Sequence, residues 1–140
     1  MSERALRAAG VALAAGGAAV CSYLLYVRQS GAVPACATGG CETVQSSAYG
    51  ELFGLPVAAL GLAGYLGLII AALARGEWAR MTQATLALAA LVFSAYLLVV
   101  QLVVIGALCQ WCLLSDTLVS GVALVALLRL RTSLGSAKVA

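Results

Sequence analysis

Four of the five cysteines in this 140-residue chain fall into two pairs, Cys36 with Cys41 and Cys109 with Cys112. Little else in the sequence can do chemistry. There is no histidine, which removes the commonest metal ligand and the commonest general base. Thiol–disulfide exchange needs neither, only the approach of one sulfur to another. Cys36 and Cys41 bracket "ATGG", a small, glycine-bearing turn that can bring two Cα atoms within the separation of about 4.4–6.8 Å that a disulfide requires. Cys109 and Cys112 lie three residues apart. On a helix they share a face, and a Cys-x-x-Cys pair at a helix N-terminus is typically redox-active. Three chemistries fit these spacings. Two structural disulfides are one, although closing a Cys-x-x-Cys loop removes little chain entropy. A four-thiolate metal site is another. The third is a dithiol relay, one pair meeting soluble partners and the other meeting a membrane carrier.

The elements that must hold these thiols are membrane helices. The chain is 64% hydrophobic and 9% charged, against about 25% charged in soluble domains. A core this small cannot hide so much apolar surface, so lipid is expected as its solvent. Uncharged runs separated by arginines predict an all-α integral membrane protein, a four-transmembrane-helix bundle. The expected spans are about 8–27, 55–74, 81–106 and 109–128. A loop with a short helix occupies 28–54 between the first two spans, and a tail covers 129–140. The uncharged run from Met81 to Ser115 is too long for one span of about 20 residues, so a turn is expected near Gly106 to Leu108. Every Lys and Arg except Arg28 falls in the N-terminus, the second connection or the tail. The positive-inside rule makes those cytoplasmic, with both cysteine pairs outside, where disulfides persist. Cys21, in the first span, reads as a small buried hydrophobe. Small residues recur at Gly10, Ala14, Ala18 and Ser22 and at Ala59, Ala63, Gly67 and Ala71, spacing that lets helices approach closely. No basic cluster with interleaved aromatics marks a nucleic-acid surface.

A thiol pair at the hydrocarbon edge can reduce a lipid-soluble quinone. Asp116 lies seven residues after Cys109, about 10 Å along a helix. An ionisable group at that depth is a functional candidate, here for handling the protons of quinone reduction. Its ordinary alternative is to reach water or to pair with Gln101 or Ser115. Ser46, Ser47 and Tyr49 could donate to a quinone carbonyl, or could simply cap helices. Pro56 is tolerable in the first turn of the second span. Trp111 points off the shared cysteine face and can anchor the helix at the interface.

The stretch "CATGGCETVQSSAYGELFGLPVAALGLAGY", followed by "CQWC" after a third span, resembles the vitamin K epoxide reductase family in its short bacterial form. The shared pattern is a cysteine pair before E-x-V-x-x-S-x-Y/W-G-x-x-F-G, then P-x-x-x-x-G-x-x-x-Y and a late Cys-x-x-Cys. The resemblance covers roughly residues 8–130. It implies a four-helix membrane bundle around a quinone (ubiquinone or menaquinone as electron acceptor) and no metal. It implies that Cys112 contacts the quinone, that Cys109 exchanges with Cys41, and that Cys36 meets the partner protein. Ser47 and Phe53 match positions near the family's quinone pocket, and Cys21 matches no functional cysteine. The vertebrate enzymes carry a tyrosine where Asp116 stands, a departure that bears on vitamin K epoxide as substrate. Some bacterial members carry a fused thioredoxin-like domain that is not found before Ala140. The expected partner is therefore a separate periplasmic DsbA-like thioredoxin-fold protein. The expected activity is a quinone-dependent thiol oxidase in the bacterial inner membrane, supporting disulfide bond formation. The same parts run in reverse would make a thiol-driven quinone or vitamin K epoxide reductase.

Overall fold

The computed structural model describes residues 1–139, most of them in helices. Helix α1 (Glu3–Ser30) starts where the Ser2 hydroxyl accepts the Ala5 N–H at 3.2 Å, an N-cap that satisfies one orphan donor. A short helix α2 (Cys41–Ser46), a 3₁₀ turn (Ala48–Gly50) and a two-stranded hairpin, β1 (Glu51–Leu52) with β2 (Leu55–Pro56), lead into α3 (Val57–Leu73). Helix α4 (Glu77–Val99) runs on into a widened π-helical turn, Val100–Ile105, and α5 (Gln110–Val139) closes the chain. The four long helices form a ring, each packed antiparallel on its neighbours in the cyclic order α1, α3, α4, α5.

The core of the ring is built from small side chains. Ala14, Ala84, Ala87, Ala123 and Ala126 meet Tyr65, Leu68, Val119 and Val122. Small residues let the backbones come close, so dispersion contacts replace the hydrophobic drive that lipid does not supply. Tyr65 takes the room left by Gly17, where an added Cβ would sit 2.1 Å from its ring carbon Cζ. Its hydroxyl donates to the Ser115 carbonyl at 2.9 Å, tying α3 to α5. The expected stripe on α1 faces inward at Gly10 and Ala14, and that on α3 at Ala71, while Ala63 is exposed; the larger buried side chains of α3 are Tyr65 and Leu68.

At one end of the ring Arg129 is 1% exposed. Its Nε and Nη2 donate to Glu3 Oε1 at 3.2 and 2.8 Å, and Nη1 donates to Gln83 Oε1. Arg80 and Arg7 lie 3.6 and 3.7 Å from the same carboxylate. The arginine-bearing ends of α1, α4 and α5 therefore meet at one end, and Arg28 and the two cysteine pairs lie at the other. A buried guanidinium is tolerated only when paired and hydrogen-bonded in this way.

Several element ends depart from expectation. Helix α1 runs on to Ser30 and α3 begins at Val57, because the hairpin uses residues 51–56. Residues 129–139, expected as a tail, continue α5. Arg129 bound to Glu3, and Arg80 donating to Ser133 Oγ at 2.9 Å, hold that extension to the bundle.

Candidate functional site

At the cysteine end, α4 changes pitch before it stops. The π-helical turn ends at Gly106, whose φ of 69° is a left-handed conformation that glycine adopts without strain. The widened turn carries Gln101, which is 2% exposed. Its Oε1 accepts the Cys109 N–H at 3.0 Å. Such π turns are frequent at functional sites. Cys109 stands just before α5. Its carbonyl accepts the Leu113 N–H at 3.0 Å and its Sγ accepts the Cys112 N–H at 3.3 Å. The Cys112 thiol donates to the same sulfur at 2.6 Å. The helical spacing of three residues thus does bring this pair together.

Cys36 and Cys41 form a disulfide with Cα atoms 6.0 Å apart. Cys41 opens α2 and is fully buried, as is Cys109. The two belong to one packed cluster, with Cys36, Cys112, Ile105 and Trp111 at its margin. Gly40 makes this docking possible, since an added Cβ there would lie 2.4 Å from the Leu108 carbonyl oxygen. A Gly40→Ala variant is therefore expected to unseat the loop. Cys109 should then react with a water-soluble maleimide at least about tenfold faster, as expected when local opening becomes easier. Alkylation at the wild-type rate would contradict the close docking.

Below the cysteines lies a cavity of about 340 Å³, bounded by all four long helices and roofed by Gln45, Tyr49 and Gly50. Cys112 and Asp116 line it from α5. Most of the remaining wall is apolar: Leu24, Leu68, Leu86, Phe93 and Leu97. This is the size and lining of a pocket for one apolar ring compound with a few polar anchors. Asp116 pairs with neither Gln101 nor Ser115. Its Oδ1 accepts the Ser94 hydroxyl, while Oδ2 is buried without a hydrogen-bond partner. Ser115 is engaged by Tyr65 instead, and Gln101 by Cys109.

The chain matches the model of the "Vitamin K epoxide reductase family" over residues 8–127. It belongs to the vitamin K epoxide reductase family. The activity that goes with the family is thiol-dependent redox chemistry on quinones or their epoxides, and the protein is an oxidoreductase. It is also a membrane protein. Three of its helices, Glu3–Ser30, Glu77–Ile105 and Gln110–Val139, are long and apolar enough to cross a bilayer, and α3 is a shorter apolar helix.

In this family member the expected quinone contacts divide. Cys112, Asp116 and Tyr49 line the cavity; Ser46, Ser47 and Phe53 do not. Ser46 is exposed and donates to the Glu42 carbonyl at 2.7 Å, and Ser47 donates to the Val44 carbonyl at 2.7 Å. Both hydroxyls are spent on their own short helix, as serine near a helix end usually is. Phe53 sits at the tip of the two-residue hairpin with φ 54° and is 96% exposed. Tight hairpins of this kind need positive φ at both tip residues, which points Phe53 away from the cavity. Cys21 is buried and free, and it lines the cavity as well as the core. Among the described residues no three of His, Cys, Asp and Glu gather as metal ligands.

Three site residues escaped sequence reasoning. Gln45 places Nε2 3.5 Å from Cys112 Sγ. Its signal was its position four residues after Cys41, one helical turn on the same face. Ser94 could not be found from sequence, because its partner Asp116 lies 22 residues away on the adjoining helix. Arg28, read only as a charge marker, donates to the Gln45 carbonyl at 3.0 Å and pairs with Glu51. It ties the end of α1 to the roof of the cavity.

Proposed function

We propose that this protein is a quinone-dependent thiol oxidase of the bacterial inner membrane that reoxidises a periplasmic DsbA-like thioredoxin-fold partner. In this reading all four long helices span the bilayer. Helix α3, with 17 residues, is about 26 Å long at 1.5 Å per residue, near the hydrocarbon thickness of about 30 Å. The termini are cytoplasmic, following the positive-inside rule, and the cysteines face the periplasm. The observation that carries the reading is the order of the sulfurs. Cys36 is partly exposed, Cys41 and Cys109 are buried in one cluster, and Cys112 lines an apolar cavity.

Electrons follow that order. A partner thiolate attacks Cys36 and releases Cys41, and the partner's second thiol then resolves the mixed disulfide. The loop dithiol reduces the Cys109–Cys112 disulfide through a Cys41–Cys109 bond. A quinone in the cavity serves as the two-electron acceptor, ubiquinone or menaquinone being the candidates. Cys109 and Cys112 give up two electrons and two protons as their disulfide forms, and Asp116 handles a proton at the cavity wall. A loop disulfide beside a free Cys109 and Cys112 corresponds to the stage just before quinone reduction. The direction is downhill for a DsbA-like partner, with a potential of about −120 mV, only if the acceptor keeps drawing electrons.

The test is a trapping experiment. With Cys41→Ser, the free Cys36 thiol is expected to attack the disulfide of the oxidised partner and hold it as a mixed disulfide that Cys41 can no longer resolve. The adduct should vanish when Cys36 is also replaced. Failure to recover a Cys36-linked thioredoxin-fold protein from periplasm-facing membranes would sink the proposal.

A further inference from the structure

We propose that Gln110 and Trp111, the two residues between the Cys-x-x-Cys thiols, form a latch that seats the loop disulfide on that pair. They are then positioning residues for electron transfer between the two cysteine pairs. This deepens the relay reading above and rests on it for its kinetic consequences.

The segment from Ala32 to Gly40 has no helix or strand of its own. Hydrogen bonds to the start of α5 set where it lies, and they bracket Cys36. On one side, Trp111 Nε1 donates to the Ala35 carbonyl at 2.6 Å. On the other, Gln110 Oε1 accepts the Ala37 N–H at 2.8 Å. The Thr38 hydroxyl donates to the Leu108 carbonyl at 2.8 Å. Tyr23 of α1 supports the arrangement twice. Its hydroxyl accepts the Ala35 N–H at 3.1 Å, and its ring lies 4.8 Å from the Trp111 ring at 48°. The indole is therefore held by packing as well as by its hydrogen bond. The loop backbone on either side of Cys36 is thus held by the same helical turn that carries Cys109 and Cys112.

Such a tether has a kinetic meaning. In the internal step the Cys41 thiolate attacks Cys109 Sγ and expels the Cys112 thiolate. The Cys36 thiolate then attacks Cys41, re-forming Cys36–Cys41 and releasing the Cys109 thiolate. Two electrons move from loop to helix, and no other reagent is consumed. The step is fast only while the loop stays seated, because a reacting pair misplaced by even about 1 Å can lose a large factor in rate. Neither Gln110 nor Trp111 lines the cavity, so the quinone step should not feel the latch.

The experiment uses the full-length protein in lipid nanodiscs. The Gln110→Ala and Trp111→Phe changes are made singly and together; phenylalanine keeps the ring against Tyr23 and removes only the N–H donor. Acid-quenched single turnovers with thiol alkylation follow three steps separately. These are reduction of the loop by a small dithiol, loop-to-helix exchange, and quinone reduction by a pre-reduced Cys109–Cys112 pair. The double variant is expected to slow the internal exchange roughly tenfold, from the loss of two hydrogen bonds, with the quinone step unchanged. An unchanged internal step overturns the latch, and so does equal slowing of all three steps. The second readout is alkylation of Cys109 by a water-soluble maleimide in the resting protein, where wild-type Cys109 is buried and the double variant should react at least about tenfold faster. This readout stands if the wild type shows no loop-to-helix exchange at all. In that case the relay reading fails, and unchanged protection of Cys109 then overturns the latch too.

Discussion

A Cys112→Ser variant is expected to reduce quinone no faster than the uncatalysed background while its loop disulfide still exchanges with thiols. Cys112 is the one cysteine of the two pairs that lines the cavity, and its sulfur is 2.6 Å from that of Cys109. Serine keeps the shape of the helix turn and its hydrogen bonding but cannot form the disulfide that releases two electrons. The measurement is the absorbance of a water-soluble quinone analogue in the presence of excess dithiol, with thiol counting on the same sample. Residual quinone reduction above background would mean that Cys109 or Cys21 meets the acceptor instead. The comparison with Cys21→Ser is informative here. Cys21 also borders the cavity but has no second cysteine in its cluster, so its removal should leave turnover nearly intact.

The second large effect is expected at Asp116. Helix α5 carries it one turn beyond Cys112 along the cavity wall, and Ser94 of α4 fixes one oxygen while the other has no partner. A carboxyl held at this depth with a free oxygen is costly and is ordinarily kept for a task. Hydroquinone formation needs two protons delivered to oxygens away from bulk water, and a positioned acid typically contributes a factor of about 10²–10⁴. Asp116→Asn keeps the volume and an oxygen to accept from Ser94 but removes the acidic carboxyl proton. The maximal rate of quinone reduction should fall about 10²-fold, with a small change in KM for the quinone and an unaltered loop disulfide exchange. A rate within a factor of two or so of wild type would assign Asp116 to structure alone; this follows from the same general-acid reasoning.

These two residues also divide what could be read in one dimension from what could not. The pairing of Cys112 with Cys109 was available from spacing, because two thiols three residues apart at a helix start share a face, whereas the choice of Cys112 as the quinone contact came from the family resemblance. The Asp116 prediction was available only as a position; its partner was expected to be Gln101 or Ser115 and is Ser94. Hydropathy and arginine placement were enough for the long helices, since a lipid-facing helix announces itself by length and composition. The hairpin at residues 51–56 was not legible. It carries apolar residues whose direction depends on a two-residue turn, and that turn alone moves Phe53 from the expected pocket to full exposure.

The amino-acid order was sufficient for the membrane bundle, for the two cysteine pairs at one end of it and for the family. Each of these depends on local spacing or on solvent preference, which a linear chain displays directly. Tertiary packing alone decided the rest. It buried Cys41 against Cys109, set Gln45 over Cys112, gave Ser94 to Asp116, and turned Gln110 and Trp111 toward the loop. All of these are contacts between elements far apart in the chain. Their distances depend on how closely small residues such as Gly17 and Gly40 let backbones approach, a property of the assembled helices that no single segment carries.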